Sequence, residues 1–253
     1  MLGRAGMTGA VLAAGGVLAV AHGGPGLTAL APVRRRFPAL AGAGTPDHVA
    51  LTFDDGPDPR FTPRFLAALD ARRVRATFFL LGPMVQAAPG LAAEIAAAGH
   101  EIGVHGWDHR YATVRGPRAV HDDLARARDT IAAATGTAPG RYRPPYGVLS
   151  SGALIAARRL GLRPVLWTTW GREWDPGATP GDVQATLART LRGGTTVLLH
   201  DSDCTTPPGK AAAALGALPW LLDDCGRRGL RVGPLAEHAA DGAGPDDRGL
   251  RRS

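Results

Sequence analysis

The chain has 253 residues, of which 45% are hydrophobic and 20% charged, a composition that suits a globular protein of one or two domains. Its formal net charge of +7 comes almost wholly from arginines scattered among acidic residues, since Lys210 is the only lysine. Because the basic residues form no stripe and no nucleic-acid-binding motif is present, we expect no nucleic-acid partner.

The first 33 residues are predicted to be a signal peptide or a membrane anchor. Ala5 to Val33 contains no Asp, Glu, Lys or Arg, and residues 11–21 are continuously small and apolar. The glycines and proline at 23–26 interrupt this run, which is shorter than the roughly 20 residues that a spanning helix needs. We therefore expect an exported or membrane-anchored protein facing the cell envelope, with a cytoplasmic protein as the alternative.

Residues 34–47 are rich in Arg, Pro, Ala and Gly, which predicts a linker, and residues 236–253 are predicted to be a polar tail. Between them, residues 48–235 alternate short apolar runs with helical patterns. The predicted strands are residues 49–53, 76–81, 100–104, 141–143, 163–167, 195–199 and 230–232. The predicted helices are residues 62–73, 83–98, 117–134, 152–160, 180–191 and 209–228. This alternation predicts an α/β domain with parallel strands, either an open doubly wound sheet or a β/α barrel.

Polar residues of chemical interest follow the predicted strands. In both architectures functional side chains gather at the carboxyl ends of the strands. The residues at these positions are Asp54 and Asp55 after the first strand, His105 and His109 after the third, Arg143 at the fourth, Glu173 and Trp174 after the fifth, and His200 after the sixth. Each alone has a structural explanation, such as a turn or a surface pair, but their joint occurrence at successive strand ends favours a catalytic site.

The residue types point to metal-assisted hydrolysis. Two imidazoles and one carboxylate leave open positions on a divalent ion, as catalytic sites require. His105 and His109 would present two nitrogens to one ion if they lay on one helical turn. One aspartate of the Asp54–Asp55 pair would be the third ligand and the other a general base, and His200 is the candidate acid.

In this order the motifs resemble those of the polysaccharide deacetylase family, the NodB-homology domain also called carbohydrate esterase family four. The resemblance covers residues 48–235 and is carried by Thr52–Pro57, His105 with His109, and Arg143–Tyr146. It implies a distorted (β/α) barrel with about seven parallel strands. It also implies a divalent ion, Zn²⁺ in the first place with Co²⁺, Ni²⁺ or Fe²⁺ as alternatives, held by Asp55, His105 and His109.

The resemblance also assigns catalytic roles. Asp54 matches the base and Arg143 the residue that orients it, and His200 matches the acid. The family commonly has Asp where Glu173 stands, and Glu173 is expected to keep the hydrogen bond to His200. A second departure is Gly106, because the family usually has Ser or Thr directly after the first metal-binding histidine. Loss of that hydroxyl is expected to weaken the support of the loop.

For the substrate, the resemblance implies that the backbone N–H of Tyr146 contributes to an oxyanion hole and that Trp174 and Leu198 line the pocket for the acetyl methyl group. The sequence thus predicts a monomeric, metal-dependent hydrolase that removes N-acetyl groups from glycans such as peptidoglycan or chitin-like oligomers. One alternative is a hydrolase of another amide or of an O-acetyl ester. The other is a non-catalytic glycan-binding module.

Overall fold

A computed structural model of the chain describes residues 20–205 and 208–238. The strands are β1 (His48–Asp54), β2 (Thr77–Leu81), β3 (Glu101–Gly106), β4 (Arg141–Tyr142), β5 (Arg163–Pro164), β6 (Thr169–Trp170), β7 (Thr196–His200) and β8 (Arg231–Gly233). The α-helices are α1 (Ala31–Arg34), α2 (Pro38–Ala41), α3 (Thr62–Asp70), α4 (Gly82–Ala87), α5 (Pro89–Ala97), α6 (Pro117–Thr135), α7 (Ser151–Arg159), α8 (Pro180–Ala188) and α9 (Lys210–Arg227).

Seven strands form one row of parallel neighbours in the order β5-β4-β3-β2-β1-β7-β6. The eighth strand, β8, pairs with residues 48–50 of β1, on the edge opposite to β7. Within the described residues no ladder joins β5 to β6, so the sheet is a half-barrel. The predicted distorted barrel of about seven parallel strands is therefore confirmed.

The core lies between the sheet and the helices that follow its strands. All seven residues of β1 and all five of β2 are buried, as expected of parallel strands covered on both faces. Phe53 of β1 packs its ring 4.9 Å from Phe65 of α3 and 5.0 Å from Phe78 of β2. Each such buried aromatic side chain stabilises the fold by about 1.5–3 kcal/mol, which fixes the strand ends from which functional groups project.

The predicted helix over residues 83–98 is wrong as a single element. It is divided into α4 and α5 at Ala88, whose backbone has φ −138° and ψ 60°. The ring of Pro89 disfavours helical dihedrals at the preceding residue, and a proline is well placed at the start of a new helix.

The predicted fifth strand, residues 163–167, is also wrong beyond its first two residues. The backbone N–H of Val165 still donates to the carbonyl of Tyr142 of β4 at 2.9 Å, but the N–H of Leu166 donates to the carbonyl of Leu40 at 2.7 Å. The carbonyl of Leu166 accepts from the Arg143 side chain at 2.9 Å. These long-range partners replace the strand ladder, and a separate strand, β6, begins only at Thr169.

Residues in the predicted linker contact the open side of the half-barrel. Arg34 is buried, and its guanidinium lies 5.7 Å from the ring centre of Trp167 and 5.9 Å from that of Trp170. Thr196 of β7 donates its hydroxyl to the carbonyl of Gly42 at 2.6 Å. The domain boundaries stay predictions, but the packing of the sheet includes residues before position 48.

Most of the predicted leader, residues 1–19, and most of the predicted tail, residues 239–253, lie outside the described residues. Among the residues that are described, no helix is both long enough and apolar enough to cross a membrane.

A buried histidine pair joins the end of the described chain to the start of β1. The Nδ1 atoms of His48 and His238 lie 2.8 Å apart, and neither side chain is more than 2% exposed. Burial, followed by the charge of His48, lowers the pKa of His238 to about 4. Burial also lowers the pKa of His48, so both histidines are neutral in the folded protein near pH 7.

We expect this pair to make the fold acid-sensitive. Its contribution to stability is complete above the unfolded-state pKa of about 6.5 and is lost as the pH falls towards the folded-state value of about 4. For His238 the loss amounts to about 3 kcal/mol. The measurement is urea unfolding between pH 7.5 and 4 in the presence of a chelator. His238→Asn, which cannot titrate, should lose about 3 kcal/mol less than the wild type over that range. Equal losses would contradict the assignment.

Candidate active site

Three strands of the sheet, two of them adjacent, carry the central residues of the candidate site at their carboxyl ends. β1 ends at Asp54, β7 ends at His200, and His105 is the penultimate residue of β3. Asp54 and His200 are register partners across β1 and β7. Parallel strands place their ends along one edge of the sheet, so residues up to 146 positions apart in sequence meet there.

Asp55, His105 and His109 form a group able to hold a metal ion. One donor atom from each residue lies within 4.8 Å of the other two. The Oδ1 atom of Asp55 is 3.3 Å from Nε2 of His105 and 3.4 Å from Nε2 of His109. The Asp55 backbone has φ 76°, a left-handed conformation that turns the side chain from the end of β1 toward the histidines.

The donor atoms are held in orientations suited to a cation. Nδ1 of His105 donates to the carbonyl of Arg143 at 2.9 Å, which leaves Nε2 with its lone pair toward Asp55. The Thr205 hydroxyl donates to Oδ2 of Asp55. The other carboxylate oxygen, Oδ1, is buried and has no hydrogen-bond partner among the described residues. An unpartnered buried carboxylate oxygen facing two imidazole nitrogens fits a divalent metal ion.

The charge of Asp55 is favoured in this arrangement. Burial alone would raise the pKa of its carboxyl, but the neighbouring imidazoles of His105, His200 and His109 lower it below its usual value. Conversely, burial, followed by the charge of His105, lowers the pKa of His109 to about 4. A charged carboxylate and a neutral imidazole are the forms that bind metals.

The two histidines do not lie on a helical turn, which was one expectation from their spacing. His105 belongs to β3, whereas His109 lies in the following loop with φ 49°. Their rings are 5.1 Å apart. The strand end and the loop after it thus bring Nε2 of both histidines within 3.4 Å of the same Asp55 oxygen without a helix.

Asp54 is held by a buried arginine. Nη1 of Arg143 donates to Oδ1 of Asp54 at 2.8 Å and to the Thr52 hydroxyl at 2.7 Å, and the Arg143 side chain is fully buried. Oδ2 of Asp54 points toward the metal group, at 3.9 Å from Nε2 of His105. The pairing fixes the carboxylate and leaves one of its oxygens available to the pocket.

His200 and Glu173 form a second buried charged pair. Nδ1 of His200 lies 2.7 Å from Oε1 of Glu173, whose residue is 1% exposed. Burial alone would lower the pKa of His200, but the hydrogen bond and charge of Glu173, with smaller contributions from Asp55 and Asp54, raise it to about 9. Glu173 thus makes the expected contact, and His200 is protonated at neutral pH.

These groups face a cavity of ≈ 410 Å³, whose lining residues are Asp54, Asp55, His105, His109, Tyr146, Trp167, Trp174, Leu198, His200, Thr205 and Lys210. All three predicted substrate-contacting residues, Tyr146, Trp174 and Leu198, are among them. The Tyr146 backbone has φ 59°, and its N–H donates to no backbone acceptor in the described parts of the chain.

Four residues near the site were missed by sequence reasoning. Thr205 contacts Asp55, and Trp167 and Lys210 line the cavity. Asp123, on α6, accepts hydrogen bonds from the loop that carries His109. Trp167 ends the predicted fifth strand, and Thr205 follows His200 by five residues, so the positions of these two could have suggested a role. Lys210 and Asp123 do not lie at a predicted strand end.

Asp201 is placed beside the site but in a bracing position. Its Oδ2 accepts from the Thr62 hydroxyl at 2.5 Å, and its carboxylate lies against Gly56, where a Cβ atom would clash with both carboxylate oxygens. Burial and the neighbouring charge of Asp55 raise the pKa of Asp201 to about 7. This residue supports the turn after Asp55, and glycine at position 56 gives it room.

Comparisons with known proteins agree on one family. A family model described as polysaccharide deacetylase matches residues 41–165. A chitooligosaccharide deacetylase from Bradyrhizobium sp. is 34% identical over 215 residues, covering 81% of this chain and 95% of that protein. A peptidoglycan-N-acetylglucosamine deacetylase from Bacillus cereus is 30% identical, covering 75% of this chain and 86% of that protein. A solved structure of a family 4 carbohydrate esterase from Streptomyces lividans, in complex with acetate, has a TM-score of 0.67 at 29% identity and covers 75% of this chain and 93% of that one.

Proposed function

The chain belongs to the polysaccharide deacetylase family, and on this basis we propose that it is a metal-dependent hydrolase that removes N-acetyl groups from amino-sugar polymers such as peptidoglycan or chitin-like oligomers. The observation that carries the proposal is that one cavity is lined by the metal-binding group, by Asp54 and by His200. Arg143 pairs with Asp54 and Glu173 with His200 from behind this lining. Acetamide hydrolysis needs these functions together: an electrophilic centre, a base for water and an acid for the leaving amine.

Asp55, His105 and His109 are the proposed metal ligands, with Zn²⁺ as the proposed ion and Co²⁺, Ni²⁺ or Fe²⁺ as alternatives. One carboxylate oxygen and two imidazole nitrogens suit these ions and leave positions open for substrate and water. When bound, such an ion supplies a Lewis acid that polarises the acetyl carbonyl and lowers the pKa of water to about 7.

Asp54 is the proposed general base. Its Oδ1 is occupied by Arg143, while Oδ2 faces the cavity and can take the proton of the attacking water. The Arg143 side chain has no exposed surface and is fixed by Thr52 and Leu166 as well, so it holds the carboxylate in one orientation. Arg143 is thus a positioning residue for the base.

Tyr146, Trp174 and Leu198 are proposed to hold the acetyl group. The backbone N–H of Tyr146 would donate to the oxyanion that forms when water adds to the carbonyl carbon. Trp174 packs edge-on against His200, at 5.5 Å between ring centres, and with Leu198 offers an apolar wall for the methyl group.

His200 is the proposed general acid. Collapse of the tetrahedral intermediate breaks the carbon–nitrogen bond and releases acetate, and the sugar amine needs a proton to leave. The Glu173 contact keeps His200 protonated at neutral pH with Nδ1 engaged, so Nε2 is the proton donor.

We also propose, from the apolar leader alone, that the protein is exported or membrane-anchored and acts on a glycan of the cell envelope. That it acts as a monomer is a separate proposal. The N-acetylated glycan is its proposed partner.

Acetate release from the full chain tests the reaction. We expect the protein, once stripped of metal by a chelator, to release no acetate from N-acetylglucosamine oligomers or peptidoglycan fragments, and addition of Zn²⁺ to restore release. Metal content is measured in parallel. Release that survives complete stripping would contradict metal dependence. No release with about one equivalent of metal bound would contradict the proposed substrates.

A further inference from the structure

We propose that Asp123 is a positioning residue that holds the His109 loop in its metal-binding conformation, in place of the hydroxyl that the family usually has after its first metal-binding histidine. The inference rests on the proposed metal site. It concerns residues 106–109, the loop between His105 and His109, and one side chain of α6 that lies outside the recognised motifs.

The Asp123 carboxylate is bonded to two successive backbone N–H groups of this loop. Oδ2 accepts from Trp107 at 2.8 Å, and Oδ1 accepts from Asp108 at 3.1 Å. The side chain is 9% exposed, and Oδ1 also accepts from Nη1 of Arg115 at 2.6 Å. Charge-assisted bonds to this largely buried carboxylate fix the two successive peptide groups on either side of the Trp107 Cα atom.

Gly106 makes this contact feasible. Its φ of 111° lies in the left-handed region that other residues rarely adopt, and a Cβ atom at this position would lie 3.1 Å from Oδ2 of Asp123. Serine or threonine here would need a different backbone and would press on the carboxylate. Gly106 and Asp123 therefore act together: the glycine leaves room for the carboxylate, and the carboxylate holds the loop. The absence of a hydroxyl at position 106 is only part of the difference from the family.

His109 depends on this bracing more than His105 does. The His105 ring is fixed by the carbonyl of Arg143. No hydrogen bond to the His109 ring is formed by any described residue, and its nearest ring neighbour is Tyr146, at 4.7 Å between centres. The direction of its Nε2 is set mainly by the loop backbone, which has φ 49° at His109 itself.

A second contact ties the loop to the same helix. The guanidinium of Arg126 lies 3.5 Å from the ring centre of Trp107. Since Arg126 follows Asp123 by three residues, both project from one side of α6. Helix α6 thus contacts the loop at two places, the backbone N–H groups of the loop and the Trp107 indole. The bonds to Asp123 are the ones that fix the peptide planes.

Zn²⁺ affinity tests the proposal on the full-length protein without use of activity. We expect Asp123→Asn to weaken Zn²⁺ binding about 10–100-fold in competition with a chromogenic chelator, because one amide oxygen replaces two charged acceptors. Asp122→Asn, the same change on the neighbouring exposed residue, should bind like the wild type. His109→Ala should no longer bind Zn²⁺ at this site, which shows that the assay measures the ion held by His109. Circular dichroism must show each variant folded at the assay temperature.

A purely structural role makes a different prediction. Asp123→Asn would then lower the unfolding temperature of the metal-free protein while Zn²⁺ affinity stays within about twofold of the wild type, and that result would overturn the proposal. If Asp123→Asn does not fold, Gly106→Ser decides. We expect this variant, which restores the hydroxyl, to bind Zn²⁺ more weakly, and equal or tighter binding would overturn the proposal.

These results are distinguishable from failure of the proposed function. Wild-type protein that binds Zn²⁺ at His109 but releases no acetate would contradict the substrate assignment and leave the role of Asp123 measurable. Wild-type protein that binds no Zn²⁺ would overturn both.

Discussion

Asp54→Asn is expected to lower kcat for acetate release by about 10²–10⁴-fold while the protein still binds one metal ion. Asparagine keeps the shape of the side chain and can still accept from Arg143, which lies 2.8 Å away. It cannot take a proton from water. Asp54 is also absent from the group of three residues whose donor atoms converge, so metal binding should remain close to that of the wild type.

The measurement is kcat with saturating substrate and Zn²⁺, together with metal content. Asp129→Asn, the same substitution at an exposed site of α6, is the matched control and should retain full activity. Turnover within threefold of the wild type would show that another group accepts the proton. Loss of the metal along with activity would instead place Asp54 among the ligands.

Glu173→Gln is expected to move the basic limb of the kcat profile to lower pH, by about 1–3 pH units. His200 must be protonated to donate, so activity falls as the pH rises through its pKa. Glu173 raises that pKa against the opposing effect of burial. Removing the charge lowers the pKa of His200. At a pH above both limbs, the variant should therefore be about tenfold slower than the wild type for every pH unit that separates the limbs.

A cation on Asp55 would offset part of the field of that carboxylate at His200, which lies 3.9 Å away, but would leave the 2.7 Å contact with Glu173 intact. The displaced limb should therefore be seen in the metal-loaded enzyme. Glu94→Gln, on the exposed face of α5, is the matched control. An unchanged basic limb in Glu173→Gln would mean that His200 does not supply the proton.

The candidate site could be assembled from sequence because its main residues occupy positions with a topological rule. Asp54, His105, Arg143 and His200 each stand at or next to the end of a strand, and parallel strands bring their carboxyl ends to one edge. Apolar runs, and the turn residues that bound them, were enough to place those strand ends to within one or two residues. The resemblance then supplied roles that geometry alone leaves open.

Contacts between distant segments followed no such rule. Asp123 lies within a helix whose sequence pattern shows only which face is apolar, so its bonds to Trp107 and Asp108 could not be read from spacing. The end of the fifth strand depended on Leu40, a residue assigned to a linker. Gly106 was interpreted as a missing hydroxyl because its partner was unknown.

The gap between β5 and β6, which no ladder joins in the described residues, has a consequence for solubility. A sheet that fails to close leaves two edge strands, and long flat edges invite pairing with a second chain and aggregation. Here the edge strands β5 and β6 are two residues long each. Pro164 has no N–H to offer, and the N–H of Leu166 is already taken by Leu40. The half-barrel therefore has open edges but few free backbone N–H groups there with which a strand of a second chain could pair.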